Sequence, residues 1–225
     1  MTITPLETNA PVPAVADAAP PYDVGAIVHE LLRPEAYPHP ATNGTNLELH
    51  ETHGAWVILA GPYAYKLKKP VNLGFFDFST RERRDADADA EVRLNRRLAP
   101  QVYLGTVNVV ERDGAIRVGG EGRVLERAVW MRRLPPDGML SYLLDHDQAT
   151  PTLVRRIARR MAAFHAGAAT GLSVDEYGDP ENIVANWQEN LTQVRPFVGA
   201  CIPAAHLAAI ERYVTSFVTT QLFVV

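Results

Sequence analysis

The hydrophobic periodicity of this chain changes once, close to Leu134. From Leu47 to Leu134 the apolar residues alternate or form short runs between turn signals, which predicts strands interrupted by one long charged helix. From Pro136 onward apolar residues recur every three or four positions, which predicts helices. This change favours an α+β chain in which a sheet-rich lobe precedes a helical lobe.

Three regions follow from this division. Residues 1–24 are predicted to be a disordered Pro/Ala-rich leader, because they lack the basic start and continuous apolar run of a secretory signal. Residues 25–134 are the predicted N-terminal lobe. Residues 135–225 are the predicted helical C-terminal lobe.

Charge and cysteine content exclude several classes of protein. The 22 Lys and Arg residues against 26 Asp and Glu residues give a net charge of -4, which disfavours nucleic acid and anionic lipid as partners. No uncharged apolar stretch approaches the ~18 residues needed to span a bilayer. The single cysteine, Cys201, excludes an internal disulfide and favours the cytoplasm.

A hairpin is predicted where the apolar run Trp56 to Ala60 ends in Gly61 and Pro62 and the extended arm Tyr63 to Lys68 follows. In the second arm, alternation places Ala64, Lys66 and Lys68 on one face of the strand and Tyr63, Tyr65 and Leu67 on the other. The lysines are therefore expected on the face opposite to the aromatic side chains.

The charged helix after this hairpin is predicted to begin at a capping box formed by Ser79 and Glu82 and to end near Leu98. Four residues at i, i+3, i+4 and i+7 define its expected inward stripe, namely Glu91, Leu94, Asn95 and Leu98. A carboxylate on such a stripe requires a cation as its partner.

The remaining strand signals predict a meander and then an exit from the sheet. The predicted strands are Val102 to Val110, Ile116 to Val118 and Val124 to Met131, with a turn at Asp113 and Gly114. The string VGGEGRVLE is interpreted as a turn instead of a phosphate loop, because a strand and not a helix follows it. Pro151, Pro180 and Pro203 are predicted to open three helices.

One constellation carries the chemistry. A strand lysine near a small residue, followed by a helix with an inward carboxylate, is the arrangement with which kinases hold the phosphates of ATP. Ala64, Lys66 and Glu91 fit this arrangement, and Lys68 competes with Lys66 for the phosphate. The spacing alone leaves a plainer interpretation open, in which the lysines form a solvated strand end and Glu91 is a surface charge.

A family resemblance adds to this interpretation. GAWVILAGPYAYKLKKPVNLGFFDFSTRERR, EVRLNRRLAPQVYLGTV, ERAVWMRRLPPDGMLSYLL and ARRMAAFHA resemble the opening of a bacterial family described as aminoglycoside phosphotransferase-like, often fused to a P-loop ATPase half. The resemblance implies a protein-kinase-like fold and transfer of phosphoryl from ATP to a small-molecule hydroxyl. It leaves the acceptor unspecified.

Carried over residue by residue, the resemblance implies that Lys66 binds phosphate and that Glu91 is its ion-pair partner. Trp130 to Arg132 would form the connection that borders the adenine, with Met131 at this hinge. The turn at Gly61 and Pro62 would be the place for a phosphate-covering loop.

The chain departs from the family where the catalytic loop is expected. No H-x-D-x-x-x-x-N string occurs, and His146 is followed directly by Asp147. We therefore assign no catalytic residue and no metal ligand, and expect Mg²⁺ only if its ligands are supplied elsewhere. The expectation is a kinase domain truncated before its catalytic loop, or shifted in reading frame near its end, and inactive alone.

Two alternatives remain open from the sequence. One is a non-catalytic module that binds nucleotide or another protein. The other is a degraded fragment, which the apolar, uncharged stretch from Phe217 to Val225 favours, since such a stretch aggregates unless a partner covers it.

Overall fold

The computed structural model describes residues 22–40 and 47–221, and these form two compact units that divide between Thr150 and Pro151. Most of the predicted leader, residues 1–21, lies outside the described residues. Its last residues belong to the folded unit, since Asp23 caps the first helix and Val24 is buried. The first unit extends beyond the predicted boundary at residue 134.

The first unit is built on an antiparallel six-stranded sheet, which with its helices confirms the α+β class. In chain order the strands are β1 (Glu48–Glu51), β2 (Ala55–Ala60), β3 (Tyr63–Lys68), β4 (Tyr103–Arg112), β5 (Ala115–Val118) and β6 (Arg123–Arg132). The predicted hairpin of β2 and β3 is confirmed, as is the turn at Asp113 and Gly114 between β4 and β5.

The predicted meander of the last three strands is wrong. The spatial order is β1-β2-β3-β6-β4-β5, so β6 lies between β3 and β4 and not beside β5. Its consecutive residues Ala128 and Val129 are both fully buried and belong to two separate clusters on opposite faces of the sheet. A strand that is buried on both faces belongs in the centre of a sheet.

Helices cover both faces of this sheet. On one face, helix α1 (Val24–Glu30) and the turn after it pack Ile27 and Leu31 against Ile58, Leu67 and Leu125. On the other face, helix α2 (Arg81–Asn95) packs Ala88 and Val92 against Val129. A third, short helix, α3 (Leu140–Asp145), follows the sheet.

Helix α2 differs from its prediction at its start and along its inward stripe. Its N-cap is Thr80, whose side chain accepts a hydrogen bond from the Arg83 amide, in place of Ser79. The buried residues follow at i, i+4 and i+8 as Arg84, Ala88 and Val92, whereas Leu94 is exposed. Because the first of these positions is an arginine, the hydrophobic periodicity of the sequence does not reveal this buried stripe.

The glycine-rich string between β5 and β6 is a turn, as predicted. Gly122 is the glycine in it that leaves no room for a side chain. A Cβ at Gly122 would lie 2.5 Å from the carbonyl oxygen of Glu111, and its φ is 156°. We expect Gly122→Ala to destabilise the chain by about 1–3 kcal/mol in urea unfolding. Gly105→Ala is the matched control, because Gly105 has a similar φ of 158° but its Cβ would meet nothing within 4 Å. It should cost less, and equal losses would contradict this account.

The second unit is helical, with α4 (Pro151–Ala166), α5 (Leu172–Asp175), α6 (Pro180–Val194) and α7 (Ala204–Gln221). The helices predicted at Pro151 and Pro180 are confirmed, and the third begins one residue after Pro203. Helix α7 includes residues 217–221 of the predicted apolar tail, and residues 222–225 lie outside the described residues. Across the described ranges, the helices lack the combination of length and hydropathy needed to cross a membrane.

Candidate functional site

The candidate site lies between β3 and α2. The predicted alternation along β3 is observed. Tyr65 and Leu67 pack in the hydrophobic core on the face covered by α1, whereas Lys66 and Lys68 turn toward α2. Helix α2 is held over this face by the small cluster of Ala88, Val92 and Val129. Helical spacing places Asp87 and Glu91 side by side along α2, next to the two lysines.

Lys66 and Glu91 form a direct ion pair. The ammonium group of Lys66 donates hydrogen bonds to both carboxylate oxygens of Glu91, at 2.9 and 3.0 Å. The Glu91 side chain is 12% exposed, and that of Lys66 is 28% exposed. The carboxylate is therefore shielded while the lysine remains accessible from solvent.

Lys68 shares the same carboxylate. Its Nζ lies 2.6 Å from Oε2 of Glu91 and 2.5 Å from Oδ2 of Asp87, and its side chain is 8% exposed. The ammonium group also lies 5.2 Å from the ring centroid of Phe78, which is a cation–π distance. Two carboxylates and an aromatic ring thus surround Lys68.

The charges of this cluster shift the pKa values of Glu91 and Lys68. Burial raises the pKa of Glu91, but its hydrogen bonds with Lys68 and Lys66 outweigh burial, and the net pKa is lowered. Burial lowers the pKa of Lys68, but its hydrogen bonds with Asp87 and Glu91 raise the pKa by more than burial lowers it, so the net pKa is raised. Both groups are therefore held in their charged forms.

A row of side chains crosses the sheet beside the ion pair. Ala64 on β3 is the register partner of Met131 on β6, which in turn pairs with Tyr103 on β4. Ala64 is buried, and Met131 and Tyr103 pack against the cluster below α2. Burial and then the charge of Glu91 raise the pKa of Tyr103, which keeps its hydroxyl protonated.

The predicted hinge needs correction. Trp130, Met131 and Arg132 are the last residues of β6 and not a connection, because the apolar run continues the pairing with β3 up to Arg132. The amide of Arg132 also donates to the carbonyl of Val102 at 2.8 Å. The connection out of the sheet begins at Arg133, next to the prolines that end the strand.

The loop nearest to the lysines also differs from expectation. The turn at Gly61 and Pro62 lies at the far end of the hairpin, where the carbonyl of Pro62 accepts from the amide of Arg133. Residues 52–54, between β1 and β2, lie at the lysine end, since Ala55 pairs with Lys68 and the carbonyl of Gly54 accepts from the amide of Lys69.

Sequence reasoning missed Asp87, Phe78 and Tyr103 as members of the site. A signal for Asp87 was present, because it lies four residues before Glu91 and so shares its helix face. Phe78 and Tyr103 had no comparable signal, since their positions depend on how the loop before α2 and the strand β4 fold onto the sheet.

Two concave surfaces lie away from this cluster. A cavity of about 470 Å³ is lined by Tyr37, Arg112, Arg117 and Gly119 among others, on the side of β5. An apolar groove of about 230 Å³ in the second unit is lined by Ile183, Trp187, Tyr213, Val214, Phe217 and Val218. We place the candidate site at the ion-paired lysines and not in either of these concave surfaces, because the lysines carry the recognisable chemistry. Within residues 22–40 and 47–221, no set of three His, Cys, Asp or Glu side chains is arranged to hold a metal ion.

Comparison with known proteins yields three mycobacterial relatives. The chain is 32% identical over 181 residues to the uncharacterized protein Mb2027c of Mycobacterium bovis and to the uncharacterized proteins MT2060 and Rv2004c of Mycobacterium tuberculosis. The match covers 80% of this chain and 35% of each relative, so the chain spans about a third of the length of the relatives. No protein-family model and no solved structure matches the chain.

Proposed function

We propose that the first unit binds the phosphates of ATP through Lys66, as the small lobe of an aminoglycoside phosphotransferase-like kinase. The observation that supports this proposal is the ion pair of Lys66 on the third strand with Glu91 on the helix that follows it. Protein kinases hold ATP with a lysine of their third strand, which a glutamate of the next helix keeps in position.

Lys66 is the better candidate of the two lysines for contact with phosphate. Its side chain is more than three times as exposed as that of Lys68, and its ammonium group contacts one carboxylate where that of Lys68 contacts two. A ligand would have to break both of the shorter ion pairs to reach Lys68. Phosphate can approach Lys66 while Lys68 keeps its partners.

The chemistry of the site fits a nucleotide. Lys66 would supply the positive charge for the phosphates, and Ala64 and Met131 would offer apolar surface to the base. Magnesium, which accompanies ATP in kinases and neutralises charge on its phosphates, would need ligands besides the nucleotide. The proposed location is the cytoplasm, in keeping with a single, unpaired cysteine.

Phosphoryl transfer to a small-molecule hydroxyl is the activity that the resemblance implies for the whole protein. That step needs an aspartate that orients the acceptor, in addition to the lysine and glutamate. The proposal for residues 22–150 is limited to nucleotide binding, which Lys66 and Glu91 support directly. A module that binds nucleotide without turnover is compatible with the same geometry.

Calorimetric titration of the purified full chain with ATP, with and without Mg²⁺, tests the proposal. We expect saturable binding and at least a tenfold loss of affinity in Lys66→Met, because the variant keeps the length of the side chain and removes the charge. Lys68 still pairs with Glu91 in this variant, so the fold should survive.

Lys69→Met is the matched control. It removes the same charge from the residue directly after β3, but Lys69 contacts Glu51 and the ring of Trp56 and not Glu91. Its affinity for ATP should stay within twofold of the wild type. Absence of binding by the folded wild type, or equal losses in both variants, would refute the nucleotide site. Release of ADP in the same samples separates turnover from binding.

A further inference from the structure

The two lysines and two carboxylates at the site form a group whose charges cancel. Lys66 and Lys68 contribute two positive charges, and Glu91 and Asp87 contribute two negative charges. Oε2 of Glu91 accepts hydrogen bonds from both lysines, at 3.0 Å from Lys66 and 2.6 Å from Lys68. Lys68 is the member that bridges the two carboxylates.

The carboxylates pose a problem for a polyanionic ligand. Asp87 and Glu91 lie one helical turn apart on α2, and like charges at this spacing repel each other and any approaching phosphate. Lys66 alone could not neutralise both carboxylates and bind phosphate as well. A second cation must remain with the carboxylates when the ligand binds.

The environment of Lys68 suits it to that task. The 8% exposure of its side chain, its contacts with both carboxylates and its position over the Phe78 ring keep it within the protein. Partial burial also strengthens its attraction to the carboxylates, because water screens them less. Lys68 thus offers a fixed charge, whereas Lys66 is exposed enough to meet a ligand.

We infer that Lys68 is a positioning residue that neutralises Glu91 and Asp87 together, so that Lys66 can share its charge with a ligand phosphate. This inference rests on the proposed nucleotide site and adds a division of labour between its two lysines. Asp87 has a defined part in it, since its charge opposes phosphate binding unless Lys68 compensates it.

The inference predicts the sign of two charge changes. Lys68→Met should weaken ATP binding about five- to tenfold, because two carboxylates then share a single lysine. Asp87→Asn should strengthen ATP binding about two- to threefold, because one repulsive charge is lost. Combining the two substitutions restores the balance of one cation and one anion, and should return the affinity to within about threefold of the wild type.

The test is calorimetry of the full chain with ATP and, in parallel, with adenosine, which carries no phosphate. Adenosine affinity should change less than twofold in all these variants, whereas a merely structural defect would weaken both ligands. Raising the salt concentration should reduce the effect of Asp87→Asn, since screening weakens the charge that it removes. Lys69→Met again controls for the loss of one positive charge.

Several results would overturn the inference. ATP affinity that is unchanged in Lys68→Met, while Lys66→Met loses it, would make Lys68 purely structural. Loss in Lys68→Met that Asp87→Asn does not relieve would exclude charge compensation. Should Lys68→Met fail to fold, Asp87→Asn still tests the inference. The Asp87 side chain is 38% exposed, so this variant should keep the fold. Weaker or unchanged ATP binding by Asp87→Asn would contradict the inference. Absence of ATP binding by the wild type would instead refute the nucleotide site itself.

Discussion

Replacement of Arg84 by methionine should lower the free energy of unfolding of the first unit by about 3–5 kcal/mol. Arg84 and Glu126 are 0% and 1% exposed, and the guanidinium group donates through Nε and Nη2 to the two carboxylate oxygens. Its Nη1 also donates to the carbonyl of Phe78 at 2.9 Å. Without Arg84, the charge of Glu126 would be buried with no compensating cation.

Urea unfolding followed by tryptophan fluorescence measures this loss. In a Trp187→Phe background the two remaining tryptophans, Trp56 and Trp130, both lie in the first unit. Arg84→Met combined with Glu126→Leu should recover at least half of the stability that Arg84→Met alone loses, because no buried charge is then left without a partner. A loss below about 1 kcal/mol in the single variant would contradict the buried ion pair.

Arg127→Met provides the matched control on the neighbouring residue of β6. Arg127 pairs with Asp89 of α2, as Arg84 pairs with Glu126, but this pair is exposed to solvent. Exposed ion pairs contribute little to stability, so we expect a loss within about 1 kcal/mol. The comparison separates the effect of burial from the removal of an arginine that joins α2 to β6.

The buried pair bears on the candidate site through helix α2. Arg84 precedes Glu91 by seven residues, about two helical turns, and therefore lies on a similar side of the helix. Its contacts with Glu126 and with the carbonyls of Phe78 and Ser79 join the start of α2 to β6 and to the loop before it. Anchoring at this point fixes the helix over the lysines of β3.

Local patterns were sufficient to predict the hairpin that carries the lysines. Gly61 and Pro62 mark a turn by their own conformational preferences, and alternation along β3 then decides which side chains share a face. The same reasoning identified the turn at Asp113 and Gly114 and the helices that open at Pro151 and Pro180. These features depend on neighbours in sequence, which the sequence displays directly.

Features that depend on distant pairing were less accessible. The place of β6 between β3 and β4 follows from burial on both faces, and a short apolar run does not reveal how many faces are covered. The inward stripe of α2 begins with Arg84, which a hydrophobic pattern assigns to solvent because arginine is seldom fully buried without a partner. That partner, Glu126, is distant in sequence and shows no local sign of its role.

Acidification should destabilise the first unit through Glu91. Its pKa in the folded protein is lowered, since the hydrogen bonds and charges of Lys68 and Lys66 outweigh its burial. A carboxylate of this kind contributes stability above the pKa that it has in the unfolded chain, about 4.3 for a free glutamate. That contribution declines as the pH falls through the lowered pKa of the folded state, when the carboxylate takes up a proton and releases both lysines.

Glu91→Gln isolates this effect from the other carboxylates of the chain. At pH 7 the variant should be less stable than the wild type by about 2–3 kcal/mol, the usual contribution of hydrogen bonds between charged groups. The difference should shrink as the pH is lowered below about 4, because protonated Glu91 and the glutamine that replaces it are both neutral and nearly isosteric. Urea unfolding of both proteins at several pH values between 7 and 3 tests this, and a difference that stays constant with pH would refute it.

On the alkaline side, the charge of Lys68 sets the limit of this stabilisation. The pKa of Lys68 is raised, so its stabilising charge persists until the pH passes that value, far above neutrality. Glu91, which holds Lys66, and Lys68 therefore both carry their charges at neutral pH.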